Sequence, residues 1–250
     1  MLSRAQLARI WDGLKELGRE LLRPESIAIL AVTLLLVTRY YLGYSRSGQR
    51  LLGGIWAWAA GAAPLLGHPV WQKQVLAVVL QLAVPILLIW LLHRKRLRDF
   101  GLGLGDWRLW LPIAALIFIV QVVVVAFFLS KDPAYLGRYP SFAPARAGGG
   151  LFWAWEASRL FYMLSWEFLF RGYLLFALEK RFGYAALAIQ TLPFVMWHIV
   201  GAKPISEIYF TVASGLLSGL FVLLCRSVWP VVLLHAFGAI LLDIFIVFGR

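Results

Sequence analysis

The run QVLAVVLQLAVPILLIWLL at residues 74–92, followed at once by HRKRLR at 93–98, decides the fold class. It carries no formal charge and has the length of about 20 residues that a helix needs to cross a hydrocarbon core. The basic cluster behind it is the usual mark of a cytoplasmic loop.

Working outward, the same signature repeats. On the N-terminal side, Ile27 to Leu42 is apolar apart from Arg39, placed where a long side chain can snorkel toward headgroups. Residues 51–66 are apolar but short and hold Gly53, Gly54, Gly61 and Pro64, so they read either as a tilted span or as a re-entrant piece. On the C-terminal side, a span runs from Trp110 to Leu129. A loop rich in proline and glycine then reaches Gly150, and further apolar stretches occupy 151–178, 184–200, 207–225 and 229–248. The expected fold is all-α, a polytopic transmembrane bundle of about seven or eight spans. Gly215 and Gly219, beside Ser214 and Ser218, give the small-residue spacing that lets membrane helices approach closely.

Residues 4–22 differ. Leu7, Ile10, Trp11, Leu14, Leu17 and Leu21 recur at helical spacing between Arg9, Asp12, Lys15, Glu16 and Arg19, the pattern of an interfacial amphipathic helix. No short apolar segment with a small-residue cleavage site is present there, so no cleaved signal peptide is expected. The chain divides into 1–24 (interfacial helix), 25–149 (N-terminal membrane helices) and 150–250 (the C-terminal helices).

Composition agrees with lipid as the solvent. The chain is 62% hydrophobic and 14% charged, with a mean hydropathy of +0.80. A net charge of +12 raises the possibility of nucleic acid, but Lys and Arg stand in short clusters between apolar runs, where orientation signals belong. Both basic clusters, at the N-terminus and at 93–98, predict a cytoplasmic N-terminus. Nucleic-acid binding is excluded on this placement. The single Cys225 allows no internal disulfide.

Function is concentrated in the second half, where Glu156, Arg159, Glu167, Arg171, His198, His235 and Asp243 interrupt apolar helices. Each charge at mid-bilayer costs roughly 2.5–3.5 kcal/mol on insertion scales, so such residues persist when paired or used. Glu167 and Arg171, four apart, share a helix face, either as a structural clamp or as catalytic groups. Glu156, eleven residues before Glu167, either shares its helix face or sits at the interface near the glycine-rich loop, and Glu207 is either a first-turn acid or a residue that reaches the mouth of a site. His198 and His235 are either acid–base groups or interhelical contacts. Asp243, eight residues after His235, either serves that histidine's surroundings or reaches the interface.

Trp166-Glu167-Phe168-Leu169-Phe170-Arg171-Gly172, then Phe194-x-x-x-His198, then His235 after Trp229-Pro230, resemble in order and spacing the CAAX-protease and bacteriocin-processing family of intramembrane proteases, called CPBP or Abi. The resemblance covers about residues 150–250, which it makes the catalytic core. Trp166 stands where the family has its first glutamate and Ala239 where it has an asparagine. A Trp-Glu form of the family is similar also in Lys203-Pro204-Ile205-Ser206-Glu207 and in a late acid, here Asp243.

The resemblance implies an intramembrane endopeptidase of the prokaryotic cytoplasmic membrane, acting on a membrane-associated peptide or protein tail. A carboxylate and His198 would activate water, and His235 would help to stabilise the oxyanion. Arg171, Glu207 and Asp243 would be supporting residues, with Glu167, Glu207 or Asp243 supplying the carboxylate that Trp166 does not. No cofactor is expected; zinc is the alternative, from two histidines and a glutamate, although His-Glu-x-x-His is absent. Competing readings are a non-catalytic relative that binds or protects against membrane peptides, a cysteine enzyme using Cys225, Arg226 and His235, and a transporter, for which no inverted repeat is apparent. Oligomeric state is not legible.

Overall fold

The computed structural model describes residues 3–249, helical nearly throughout and without a strand among them. Helix α1 (Arg4–Leu21) is closed at its start by a capping box in which Ser3 and Gln6 exchange backbone and side-chain hydrogen bonds. None of its residues is buried, and Leu7, Trp11 and Leu14 form an apolar face with no protein against it. Its end is tied to the bundle by Arg181, which bonds Glu20 and Glu25.

The membrane helices are α2 (Pro24–Tyr44), then after two short helices, α3 (Arg46–Leu51) and α4 (Gly53–Ala62), the long α5 (Pro69–His93) and α6 (Trp107–Phe127). A short α7 (Pro133–Arg138) lies in the loop. Beyond it come α8 (Gly149–Glu167), continued through a π-helical stretch (Phe168–Leu174) into α9 (Leu175–Phe182), then α10 (Ala185–Val200), α11 (Ile205–Cys225) and α12 (Trp229–Phe248).

Five of these are long and apolar enough to cross a membrane by length and composition, and the protein is an integral membrane helical bundle. The continuous 149–182 helix and α10 run between the same two ends of the bundle. The stretch 51–66 does not span: α4 has 10 residues, about 15 Å at 1.5 Å per residue, half of a hydrocarbon core.

The C-terminal helices interlock as the glycine spacing predicts. A Cβ on Gly215 would sit 2.7 Å from the Thr191 methyl, so only glycine lets α11 lie this close to α10. Gln190 exploits the approach by donating to the Gly215 carbonyl at 2.9 Å. Around them Trp166, Phe168, Phe170, Tyr173, Phe194 and Trp197 fill the core.

One polar residue of the first half departs from expectation. Arg39 does not snorkel: it is 1% exposed, donating to Gln81 at 2.8 Å and to the Tyr162 hydroxyl at 3.0 Å. Its guanidinium lies over the rings of Trp197, Tyr162 and Trp166. The reason lies in the register of α2, which turns position 39 inward toward a π-helical turn of α5 that presents Gln81.

Candidate active site

The 149–182 helix delivers Glu167 at the point where α-helical winding gives way to the π-helical stretch, an irregularity common at functional positions. Arg171 Nη1 lies 2.9 Å from Glu167 Oε2, both side chains are buried, and the N–H is not aimed along a hydrogen bond to that oxygen. The other oxygen, Oε1, receives His235 Nδ1 from α12 at 2.6 Å. One carboxylate thus links a buried arginine and an imidazole from two distant segments.

A carboxylate in contact with Arg171 only accepts, so His235 Nδ1 carries a hydrogen and, in the neutral ring, Nε2 is the acceptor. His198, on the last turns of α10, has its Nδ1 2.9 Å from the Phe194 carbonyl. A carbonyl also only accepts, which fixes the same tautomer and leaves Nε2 of this ring as an acceptor. Both imidazoles line one cavity of about 460 Å³, which opens at the bundle end formed by Tyr44, Arg138 and Gly201.

Trp166 occupies the space beside His198, its ring edge-on at 5.6 Å and packed also on Phe170 and Phe194. Where the family pattern places a carboxylate next to this histidine, the chain has an aromatic wall. The carboxylate that contacts an imidazole belongs to Glu167, and the imidazole is His235.

Glu207 also lines the cavity. It accepts from the Tyr139 hydroxyl at 2.7 Å and pairs with Lys203 at 3.0 Å, while Lys203 bonds the same hydroxyl. Burial, together with the Glu207 charge, holds the Tyr139 phenol far above its ordinary pKa, so it stays a donor. Glu207 is therefore a cavity residue as well as a first-turn acid.

Asp243 belongs elsewhere. It is fully buried, accepting from Arg159 Nη1 at 2.6 Å and Trp155 Nε1 at 3.1 Å. It neither reaches the interface nor serves His235, because a helix face two turns long also faces the 149–182 helix, whose Arg159 captures it. Glu156, expected at the interface, is buried too, 4.0 Å from Arg159. These three form a second polar cluster, with Arg159 at the cavity wall.

The cysteine reading fails on position. Cys225 is fully buried against Trp110 and Ala114, and Arg226 pairs with Glu179 at the end of the bundle away from the cavity mouth. Among the described residues no group of three or more His, Cys, Asp or Glu side chains is arranged to hold a metal ion. Sequence reasoning took Arg39 for a snorkelling residue and passed over Gln81 and Tyr139; an amide inside an apolar run was the available signal for Gln81.

No curated protein and no solved structure matches the chain. Residues 148–241 match the family model Rce1-like, described as Type II CAAX prenyl endopeptidase Rce1-like, with residues 1–147 outside the match. The matched segment begins with the 149–182 helix and includes both cavity histidines and Glu167. Over residues 148–241, and with them the histidine wall of the cavity, the chain is thus similar to the Rce1-like CAAX proteases of the CPBP family, the family that the three motifs resemble.

Proposed function

We propose that the protein is an intramembrane endopeptidase that hydrolyses a peptide bond in a membrane-associated peptide or protein tail. Its working parts are His235, oriented by Glu167, and His198. The observation that carries this reading is the 2.6 Å bond from His235 Nδ1 to a buried carboxylate, on a ring that lines a cavity shared with a second imidazole.

In this mechanism His235 Nε2 takes a proton from water as the water oxygen attacks the substrate carbonyl carbon. The Glu167 carboxylate stabilises the positive charge that develops on the ring, and Arg171 holds Glu167 in place. His198 Nε2 accepts the other hydrogen of the water and fixes its position. When the tetrahedral intermediate collapses, the C–N bond breaks and His235 returns its proton to the leaving nitrogen. No step runs through a metal. Glu207 and Tyr139 bound the cavity, and Asp243 supports the fold around Arg159. On this reading the membrane is a prokaryotic inner membrane with the N-terminus on its cytoplasmic side, as the basic clusters favour, and the cavity mouth, at the opposite end, faces away from the cytoplasm.

Peptide termini mapped by mass spectrometry in membranes of cells expressing the wild type, Glu167→Ala, His198→Ala or His235→Ala test this. Cleavage products present only with the wild type are expected; the same products with all three variants overturn it. Trp166, in the place of a catalytic glutamate, supports a second reading as a non-catalytic peptide-binding relative. On that reading the wild type makes no product, and Trp166→Glu, placed beside His198 and Arg39, is the variant that gains it.

A further inference from the structure

The cavity mouth holds more positive charge than the site's own acids neutralise. Lys203 has Glu207 and Arg159 has Asp243. Three further cations on the lining, Arg39, Lys73 and Arg138, have no carboxylate partner among the described residues. Arg39 is buried, bonded only to neutral groups, with its Nε unpartnered, an arrangement that is costly unless an anion shares the space. Lys73 Nζ lies 4.2 Å from the centre of the Tyr44 ring. Arg138 spends one N–H on the Gly201 carbonyl at 2.5 Å, leaving the rest of its fork for an incoming oxyanion.

A second cavity adjoins this one. It is a groove of about 450 Å³ between α2 and α10, and it shares Trp197 and Val200 with the first. Its walls are apolar, including Ile29, Val37, Leu192 and Met196, all well exposed on the side that faces lipid. Along α2 it runs from Ile29 to Tyr40, about 16 Å at 1.5 Å per residue. Tyr40 stacks on Tyr44 at 5.8 Å, so the groove ends under the ring that carries Lys73.

We propose that an anionic phospholipid docks at the cavity mouth, its phosphate held by Lys73 and Arg138 in the field of Arg39 and one acyl chain laid in the α2–α10 groove. A charged head placed against cations without counter-ions and a chain placed against apolar walls open to the bilayer satisfy both cavities with one molecule. Free phosphate would satisfy only the first. The site is independent of the hydrolytic reading and is tested without a cleavage assay.

The full-length protein is purified in a neutral detergent and titrated with dioleoylphosphatidylglycerol or dioleoylphosphatidylcholine, with retained lipid counted by native mass spectrometry. Phosphatidylglycerol is expected to bind at least tenfold more tightly than phosphatidylcholine. The Lys73→Gln/Arg138→Gln protein, whose substituted side chains stand at the mouth rather than in the core, is expected to lose roughly ten- to thirtyfold in that affinity with an unchanged melting midpoint. Leu192→Trp, which fills the groove, is expected to weaken phosphatidylglycerol retention, and glycerol phosphate is expected to compete poorly. Equal binding of the two lipids, or wild-type affinity in the double variant, overturns the headgroup site. Wild-type retention in Leu192→Trp, or glycerol phosphate competing as well as the lipid, overturns the lipid as occupant.

Discussion

Removing Asp243 and Glu156 together tests the second polar cluster. Arg159 is 5% exposed, at the cavity wall, and Asp243 fully buried, so the 2.6 Å pair between them is largely shielded from solvent. Removing one partner of such a pair leaves an uncompensated buried charge, at about 3–5 kcal/mol. Here the first loss is cushioned, because Glu156 stands 4.0 Å from Arg159 Nε and can take over as the counter-charge once Asp243→Asn removes the competing carboxylate. Each single change, Asp243→Asn or Glu156→Gln, should therefore cost less than half of that range. Only the double variant exposes Arg159 to its full desolvation penalty. The prediction is a strongly non-additive cycle in which the double variant melts roughly 6–20 °C below the wild type, from about 2–4 °C per kcal/mol for a chain of this size. Purified proteins in one detergent, followed by tryptophan fluorescence on heating, give the four midpoints. Additive shifts, or a double variant as stable as Asp243→Asn, would refute the shared-counter-ion argument.

His235→Gln keeps a donor for Glu167 at a partly exposed position, so its melting midpoint should hold while cleavage falls on the order of 10²- to 10⁴-fold, the usual worth of a general base. Gly215→Val must push α11 off Thr191, which lies 2.7 Å from the added Cβ; a loss of about 1–3 kcal/mol in thermal unfolding is expected, with reduced cleavage because α10 carries His198. Cys225→Ser should leave cleavage unchanged, since the thiol is buried against Trp110 and Ala114 away from the cavity; loss of cleavage in a folded protein would restore the cysteine reading.

The spans were legible because lipid demands long apolar runs, and 74–92 or 229–248 satisfy that demand by composition alone. The candidate site was legible through spacing within one helix, as with Glu167 and Arg171, and through motif order for His198 and His235. What was not legible depends on how helices turn toward each other. Whether Arg39 faces lipid or Gln81 is set by the packing of α2 on α5. Asp243 shares a helix with His235, yet its partner Arg159 comes from 84 residues away. Glu156 looked interfacial because it follows Gly148–Gly150, but α8 begins close enough to that loop to carry position 156 inside the bundle. The same limit applied to 51–66, where composition allowed a span and only the helix break after Ala62 ruled one out.

The most direct measurement is of water-derived oxygen in the cleavage products. The purified protein, incubated in H₂¹⁸O with the membrane peptides whose mapped termini depend on the wild type, should give fragments whose new C-terminal carboxyl carries ¹⁸O, and His235→Gln should give them in a yield lower by roughly a hundredfold or more. Labelled fragments in equal yield from the wild type and His235→Gln would contradict the assignment of water activation to the imidazole that Glu167 holds.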